Sequence, residues 1–214
     1  MNQKALKQKL NLAHLTRVLS LNEDDELDEN FLEDLILDDK NLKNLVIKNS
    51  SLMRLSLSRT RFDKGYFSHC IFENCQMPSS ATNESVFKDS LLLKCRLTGV
   101  DFTNNNFKDT TFKSCKLDYT NFRFSSFKNV TFEDCDLTDA DFYQASLKNV
   151  SFSSCTLNNT EFSGSKLNQV DFRQSDIVNL KGLSSIKGAI ITDTQLITIA
   201  PILAAQLGII IKDS

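Results

Sequence analysis

Six cysteines and two histidines are the residues of this sequence with the greatest potential for metal binding or nucleophilic catalysis. A structural zinc site draws its ligands from closely spaced pairs such as Cys-x-x-Cys, and the sequence contains no such pair. His14 and His69 lie in unrelated positions, and no glycine-rich phosphate loop or nucleophile motif accompanies them. The sequence therefore predicts no enzyme activity, no metal, no cofactor and no small-molecule substrate.

The cysteines instead follow a regular spacing, which indicates a structural role. Five of them recur every twenty residues, at Cys75, Cys95, Cys115, Cys135 and Cys155. All six stand two residues before a larger apolar residue, a position typical of small buried side chains. We interpret them as buried thiols that act as small apolar fillers. Reduced thiols, and the lack of a signal peptide or an apolar stretch of membrane-spanning length, predict a cytoplasmic protein.

Charged residues supply the chemistry of partner binding, although the formal net charge is only −2. The acids predicted to share one side of the molecule, and to dock onto a basic groove, are Asp134, Asp136, Asp139, Asp141 and Glu161. Lysines that could contact phosphates recur every twenty residues, at Lys88, Lys108, Lys128 and Lys148. Because Asp89 and Asp109 adjoin these lysines, the sequence argues against direct nucleic-acid binding. A solvated surface is the alternative for both sets.

The element that must position these residues is a repeat of five. From Phe87 to Ile177, every fifth residue is Phe, Leu or Ile. A continuous strand would send successive repeats to opposite faces, and a helix would place them about 140° apart. The chain must therefore turn once per repeat, so that each apolar side chain returns to a common axis. This is an all-β solenoid, in which each coil packs on its neighbours.

Residue identity repeats every twenty positions, which predicts a coil with four sides. The core residues predicted from this period are Phe102, Phe122, Phe142 and Phe162 in one column, and Cys95, Cys115, Cys135 and Cys155 in another. The solenoid should span residues 32–179 in about seven coils of about 4.8 Å each. Thr82 is the one polar residue among the repeat centres, so residues 77–82 are predicted to form a local bulge.

The two ends of the chain depart from the repeat. Residues 1–31 are predicted to cap the first coil, since terminal repeats need covering. Ten acids and no base occupy positions 23–39, which favours a solvated cap that blocks the edge, or alternatively part of an acidic docking surface.

Residues 180–214 are predicted to form a strand and a helical tail that makes a dimer. Thr192 and Gln195 have the spacing of a capping box, Pro201 should interrupt the helix, and Gly208 should end it before a last strand at 209–211. The tail is too apolar to cover one coil alone, which favours a symmetric homodimer over a monomer. The predicted interface residues are Leu196, Ile199, Ile202, Leu203, Leu207, Ile209 and Ile211.

The repeats resemble those of the pentapeptide-repeat family, whose pattern is A(D/N)Lxx. Residues 100–104 (VDFTN) and 140–144 (ADFYQ) are close examples. The resemblance implies a right-handed quadrilateral β-helix. The tail around TDTQL at 192–196 and APILAAQLGI at 200–209 looks like the dimerisation module of the Qnr-type quinolone-resistance proteins, and the acidic cap resembles their Gram-positive members.

This second resemblance implies a function. Qnr-type proteins are rods that mimic duplex DNA, bind DNA gyrase and topoisomerase IV, and protect these enzymes from quinolones. By analogy, the acids at 134–161 would face the DNA-binding saddle of a type II topoisomerase, which makes this an antibiotic-resistance function. The alternatives are a protein-interaction scaffold for a different partner, or weak binding of duplex nucleic acid through the lysine face.

Overall fold

The computed structural model describes residues 14–206, 208–210 and 212. These residues form a solenoid of about eight turns that ends in one helix. The strands are β1 Thr16–Val18, β2 Glu26–Asp28, β3 Asn30–Glu33, β4 Val46–Lys48, β5 Ser51–Met53, β6 Tyr66–Ser68, β7 Ile71–Glu73, β8 Val86–Lys88, β9 Leu91–Leu93, β10 Asn106–Lys108, β11 Thr111–Lys113, β12 Ser126–Glu133, β13 Ser146–Thr156, β14 Lys166–Asp176 and β15 Ala189–Ile190. The helix α1 spans Asp193–Gln206.

Four faces, numbered in chain order, surround the core. Face 1 contains β2, β4, β6, β8 and β10, and face 2 contains β3, β5, β7, β9 and β11. The long strands β12, β13 and β14 run from face 1 across the corner into face 2. Single parallel bridges join the coils on face 3, as between Lys116 and Asp136, and on face 4, as between Asn121 and Asp141. These partners are twenty residues apart, and the predicted right-handed, four-sided β-helix is confirmed.

The corner that follows each repeat centre has a left-handed backbone, and this explains the period of five. From residue 24 to residue 169, every fifth residue has a positive φ, between 46° and 69°. Gly99 and Gly164 are the glycines in this series, whereas Arg54 and Phe124 are bulky side chains that avoid this region in most proteins. Hydrogen bonds between coils hold the corners: the amide of Phe124 donates to the carbonyl of Tyr143 at 3.1 Å.

Stacked aromatic rings fill the interior. Phe102, Phe122, Phe142 and Phe162 are each 0 % exposed and form a column with neighbouring ring centroids 4.8–5.2 Å apart. Two further columns lie behind faces 1 and 2, and rings of different columns meet edge to face. Offset and edge-to-face contacts are the favoured arrangements of aromatic rings, so each coil fixes the position of the next.

The cysteine column packs beside face 3. Cys95, Cys115, Cys135 and Cys155 are buried, and each Sγ donates to a backbone carbonyl of the preceding coil at 3.3–3.5 Å. All six cysteines are free thiols. Burial raises the pKa of Cys70 to about 12 and that of Cys95 well above its ordinary value. Both thiols therefore stay protonated at neutral pH and act as small apolar groups.

The predicted bulge at residues 77–82 is wrong. This stretch keeps the regular bridges of its neighbours, including that of Ala81 with Asp101. Thr82 is buried there with its hydroxyl satisfied, because the buried side-chain amide of Asn105 donates to Thr82 Oγ1 at 2.6 Å. The register shifts instead between β13 and β14, after Ser151.

At the N-terminal end, parallel pairing extends into the segment predicted as a cap. The strands β1 and β2 lie within residues 14–31, and they pair with β3 and β4, respectively. The solenoid therefore continues by about one coil beyond the predicted start at residue 32. Residues 1–13 lie outside the described part of the chain.

At the C-terminal end, β15 pairs with β14 and leads into α1. The predicted capping box is confirmed: the amide of Gln195 donates to Thr192 Oγ1 at 3.2 Å, and the amide of Thr192 donates to Gln195 Oε1 at 2.8 Å. The predicted break at Pro201 is wrong, because α1 continues through it to Gln206. Gly208 follows with φ 74°, as a helix terminator does, and Ile209 and Ile210 form no strand.

The capping contacts provide a local test of how α1 is attached. Thr192→Ala should weaken the first turn by about 1 kcal/mol. Gln195→Ala should have the larger effect, since the side-chain Nε2 of Gln195 also donates to the carbonyls of Phe172 and Ser175 at 2.8 and 2.7 Å. Hydrogen exchange of the helix amides should accelerate in that order, while the control Thr192→Ser stays near wild type. Unchanged exchange in both alanine variants would contradict this attachment.

Candidate partner-binding surfaces

The predicted acidic residues lie around face 3. Asp141 and Glu161 are direct neighbours on face 4, Asp136 lies on face 3, and Asp139 occupies the corner between these faces. We call these four residues the acidic edge. Asp134 is at the other corner of face 3, next to face 2, so it borders the acidic edge from the opposite side.

Sequence reasoning missed two acids that enlarge this surface. Asp101 lies two coils before Asp141 in the same column of face 4, and the twenty-residue period could have found it. Asp118 follows the face 3 centre Leu117 and accepts a hydrogen bond from the Thr98 hydroxyl at 2.6 Å. The acidic surface therefore spans several coils along the C-terminal half of the rod.

The carboxylates of the acidic edge also build the fold. The carboxylate of Asp136 accepts a hydrogen bond from the backbone amide of Thr138 at 3.1 Å, and that of Asp141 accepts one from the backbone amide of Tyr143 at 2.8 Å. Arg123 lies 3.0 Å from the second carboxylate oxygen of Asp141. These contacts satisfy backbone donors that would otherwise face solvent. An asparagine can make the same contact, so charge and folding role can be separated experimentally at these positions.

Exposed aromatic residues flank the acidic edge. Tyr119 and Phe124 are 64 % and 49 % exposed, and both occupy left-handed corner positions. The Phe124 ring packs edge to face on Tyr143, whose ring also carries the guanidinium of Arg123 at 4.8 Å. Aromatic and arginine side chains are enriched at the centres of protein interfaces, so this patch adds contact area to the charge beside it.

The acids of the N-terminal segment 23–39 are partly neutralised by the following coils. Arg54 pairs with Glu33 and with Asp34, and Arg59 pairs with Asp39 at 2.6 Å. Hydrogen bonds from these guanidinium groups lower the pKa of Asp34 and of Asp39. A docking surface at this end is therefore less negative than the ten acids alone predict.

The predicted lysine column lies on face 1. Lys88, Lys108, Lys128 and Lys148 occupy the same register position of successive strands. Their acidic neighbours have other partners: Asp89 lies 3.6 Å from the His69 ring, and Asp109 accepts a hydrogen bond from Asn129 at 2.8 Å. In the described part of the chain, none of the four lysines forms an ion pair.

The predicted dimer residues divide into two groups. Ile199 is 0 % exposed and Leu203 is half-buried, because both pack on the last coils of their own chain. Leu196, Ile202 and Ile209 are 48 %, 42 % and 56 % exposed. Leu207 and Ile211 lie outside the described residues. Sequence reasoning also missed two of the most exposed apolar side chains of the tail, Ile197 at 74 % and Ile210 at 81 %.

No constellation for catalysis or metal binding accompanies these surfaces in the described part of the chain. No group of three or more His, Cys, Asp or Glu side chains there could hold a metal ion. Among the same residues, no helix has the length and apolar character needed to cross a membrane. The described surface therefore offers charged and apolar contact areas on a rigid rod.

The described residues form a rod of stacked coils with a solid core, and the sides of the rod differ in charge. This architecture is that of a repeat scaffold built on a right-handed quadrilateral β-helix. A family model described as "Pentapeptide repeat region" matches residues 45–122 and 125–186, which is more than half of the chain. The chain belongs to the pentapeptide-repeat family. Its members are typically scaffolds without enzymatic activity.

Solved structures show similar chains at low identity. HetL, a pentapeptide repeat protein involved in heterocyst differentiation regulation in the cyanobacterium Nostoc, is 14 % identical, with 90 % of this chain and 98 % of that chain covered and a TM-score of 0.46. QnrB1, a plasmid-mediated fluoroquinolone resistance protein, is 17 % identical, with 87 % and 100 % covered and a TM-score of 0.37. A comparison with curated proteins gave no match.

Proposed function

We propose that this protein is a DNA-mimicking rod that binds a type II topoisomerase, DNA gyrase or topoisomerase IV, and protects it from quinolone-type poisons. The observation that carries the proposal is the acidic edge, Asp136, Asp139, Asp141 and Glu161, on coils that parallel bridges join to one another. Asp136, Asp139 and Asp141 lie around a single coil, and Glu161 lies beside Asp141 on the next coil, about 4.8 Å away. Phosphates follow each other along one DNA strand at about 3.4 Å, so this edge offers a compact cluster of negative charges at a comparable spacing.

The partner that fits this edge is a basic groove that ordinarily holds DNA. Charge complementarity would guide the encounter and select the orientation. Tyr119 and Phe124 would then supply the desolvated contacts that charged groups alone do not provide. A scaffold for a different basic partner would use the same residues, and a direct assay with the enzyme distinguishes the two.

The exposed apolar residues of the tail support a homodimer. Leu196, Ile202 and Ile209 would pack on the same residues of a second copy in a two-fold arrangement. The dimer would double the length of the rod. The six free thiols suit a reducing compartment, and we place the protein in the cytoplasm with its partner.

The test is DNA supercoiling by purified gyrase, with and without ciprofloxacin, in the presence of this protein. Rescue from the drug, or inhibition of the enzyme at higher protein concentration, is expected. Failure of both, with gyrase and with topoisomerase IV, would overturn the topoisomerase proposal and leave a scaffold for another partner.

The acidic edge is tested by the triple variant Asp136→Asn, Asp139→Asn and Asp141→Asn. Asparagine keeps an acceptor for the backbone amides and removes the charge, and at Asp141 it also removes the ion pair with Arg123. We expect affinity for the topoisomerase to fall at least about tenfold, because three ion pairs worth about 0.5–1 kcal/mol each would be lost. The readout is surface plasmon resonance at two salt concentrations.

The matched control removes three acids from the other side of the rod, by Asp89→Asn, Asp109→Asn and Asp171→Asn. Its affinity should stay near that of wild type. An equal loss in both variants would mean that net charge alone drives binding. Unchanged binding of the acidic-edge variant would place the docking surface elsewhere.

A further inference from the structure

The C-terminal half of face 1 is a continuous basic surface. Lys128 and Lys148 are register partners on β12 and β13, and Lys166 begins β14 beside them. Lys187 occupies the next coil, where the repeat would place an apolar centre, and it is exposed. From residue 124 to residue 169, the outward positions of face 1 and of its two corners hold no acid. The aspartates that border the earlier lysines are absent from this stretch.

Repulsion between these lysines is expected to lower the stability of the coil. Elsewhere the fold places opposite charges on neighbouring coils, as in the pairs Arg54–Asp34, Arg59–Asp39 and Lys113–Glu133. Like charges directly opposite each other on adjacent strands are destabilising. Because the described residues offer Lys128 and Lys148 no acid partner, the column is best explained by a ligand that supplies the negative charge.

An open pocket of about 550 Å³ continues this surface at its C-terminal end. Lys166 and Lys187 line it, together with Ser165, Asn168 and Gln169. The backbone of Gly188 forms part of its wall and has φ 92°; a Cβ there would lie 2.4 Å from the carbonyl oxygen of Leu167, so only glycine fits. Leu167 and Ile190 supply the apolar part of the wall, and the polar part has two cations, several neutral donors and no carboxylate, a set that suits a phosphate group.

We propose that face 1 between Lys128 and Lys187 binds the sugar–phosphate backbone of duplex nucleic acid. The outward positions of this stretch on β12, β13 and the start of β14 are Ser, Lys, Asn and Gln. Phe124, at the corner with face 4, is a single ring packed edge to face on Tyr143, so it does not form a row on which successive unpaired bases could stack. Single-strand binders rely on such stacking, so a duplex backbone is the better match. The same polar composition offers nothing to insert into a lipid surface.

This site is independent of the topoisomerase proposal, because it uses different residues on a different face of the rod. Face 1 is opposite face 3, which carries Asp136, and its corner with face 2 is diagonally opposite the corner that carries Asp139. One protein could therefore contact a basic partner with the acidic edge and a DNA segment with face 1. Each contact can be removed without changing the residues of the other.

The test measures fluorescence anisotropy of a labelled 20-base-pair DNA of mixed sequence with the full chain over a range of salt concentrations. Four phosphate contacts predict a slope of log K against log salt of about −3.6. The variant Lys128→Gln, Lys148→Gln, Lys166→Gln and Lys187→Gln should bind at least about tenfold more weakly at low salt and lose most of this slope. Its thermal unfolding should not fall below that of wild type, because a repulsive column is relieved.

The control changes four lysines on other faces, by Lys43→Gln, Lys94→Gln, Lys116→Gln and Lys181→Gln, with the same loss of charge. It should keep wild-type affinity and slope. Three results would overturn the proposal: no binding of the duplex at low salt, equal losses in both variants, or tighter binding to single strands or to vesicles containing phosphatidylserine than to the duplex.

Discussion

Replacement of Phe122 by alanine is expected to lower the free energy of unfolding by about 3–5 kcal/mol. The Phe122 ring is 0 % exposed and lies between Phe102 and Phe142, at centroid distances of 5.2 and 4.8 Å. It also meets the rings of Phe107 and Phe127 edge to face. Its neighbours belong to a close-packed stack and cannot collapse into the space, so the cavity should lower the free energy of unfolding by its full amount.

Urea denaturation followed by circular dichroism measures this effect, with Phe124→Ala as a matched control. Phe124 is two residues away, 49 % exposed, and outside the stack. Its removal should change the free energy of unfolding by less than about 1 kcal/mol. A small effect of Phe122→Ala, or equal effects of both substitutions, would contradict the idea that the ring columns hold the coils together.

The repeat frame could be predicted from the sequence because the interior has one-dimensional order. Phe102 and Phe122 occupy equivalent places one coil apart, and the period of twenty records this directly. The left-handed corners could not be predicted. Local preference would favour glycine or asparagine at such positions, yet Arg54, His69 and Phe124 occupy them. There the stack of neighbouring coils, and not the residue, determines the backbone.

The candidate surfaces could be predicted in outline only. The twenty-residue period places Asp141 and Glu161 in one column. It does not show that Arg54 would turn to Asp34 or that His69 would approach Asp89, since these pairings depend on side-chain reach across coils. Lys187 lies beyond the regular repeats, so its contribution to face 1 could be recognised only from the structure.

The tail shows a different limit of sequence reasoning. Burial against the chain's own last coil and burial in a dimer select the same apolar residue types. Sequence alone could not show that Ile199 is buried in its own chain while Ile202 stays exposed and available for the proposed dimer. The continuous helix is a related case: Pro201 lacks one hydrogen-bond donor, but the capping box and the burial of Ile199 offset that loss.

Introducing charge on the exposed side of α1 is expected to convert the proposed dimer into a monomer. In the variant Leu196→Asp and Ile202→Asp, each carboxylate would be buried without a partner, at a cost of about 3–5 kcal/mol in the interface. The dimer should therefore weaken at least about a hundredfold. The monomer itself should stay folded, because both side chains face solvent in the single chain and Ile199 keeps its place in the core.

Sedimentation velocity measures the change, and the other end of the rod offers a matched control. Leu19 and Ile36 are 73 % and 79 % exposed there, so Leu19→Asp with Ile36→Asp introduces the same charges on an equally apolar surface. That control should remain a dimer. A monomer in the control and a dimer in the helix variant would move the interface to the N-terminal end. If the wild-type protein is itself a monomer, the exposed face of α1 does not bind a second copy, and the dimer proposal is wrong. Because Leu196 and Ile202 are exposed while Ile199 is buried, the helix variant separates association from folding, which substitution of Ile199 could not do.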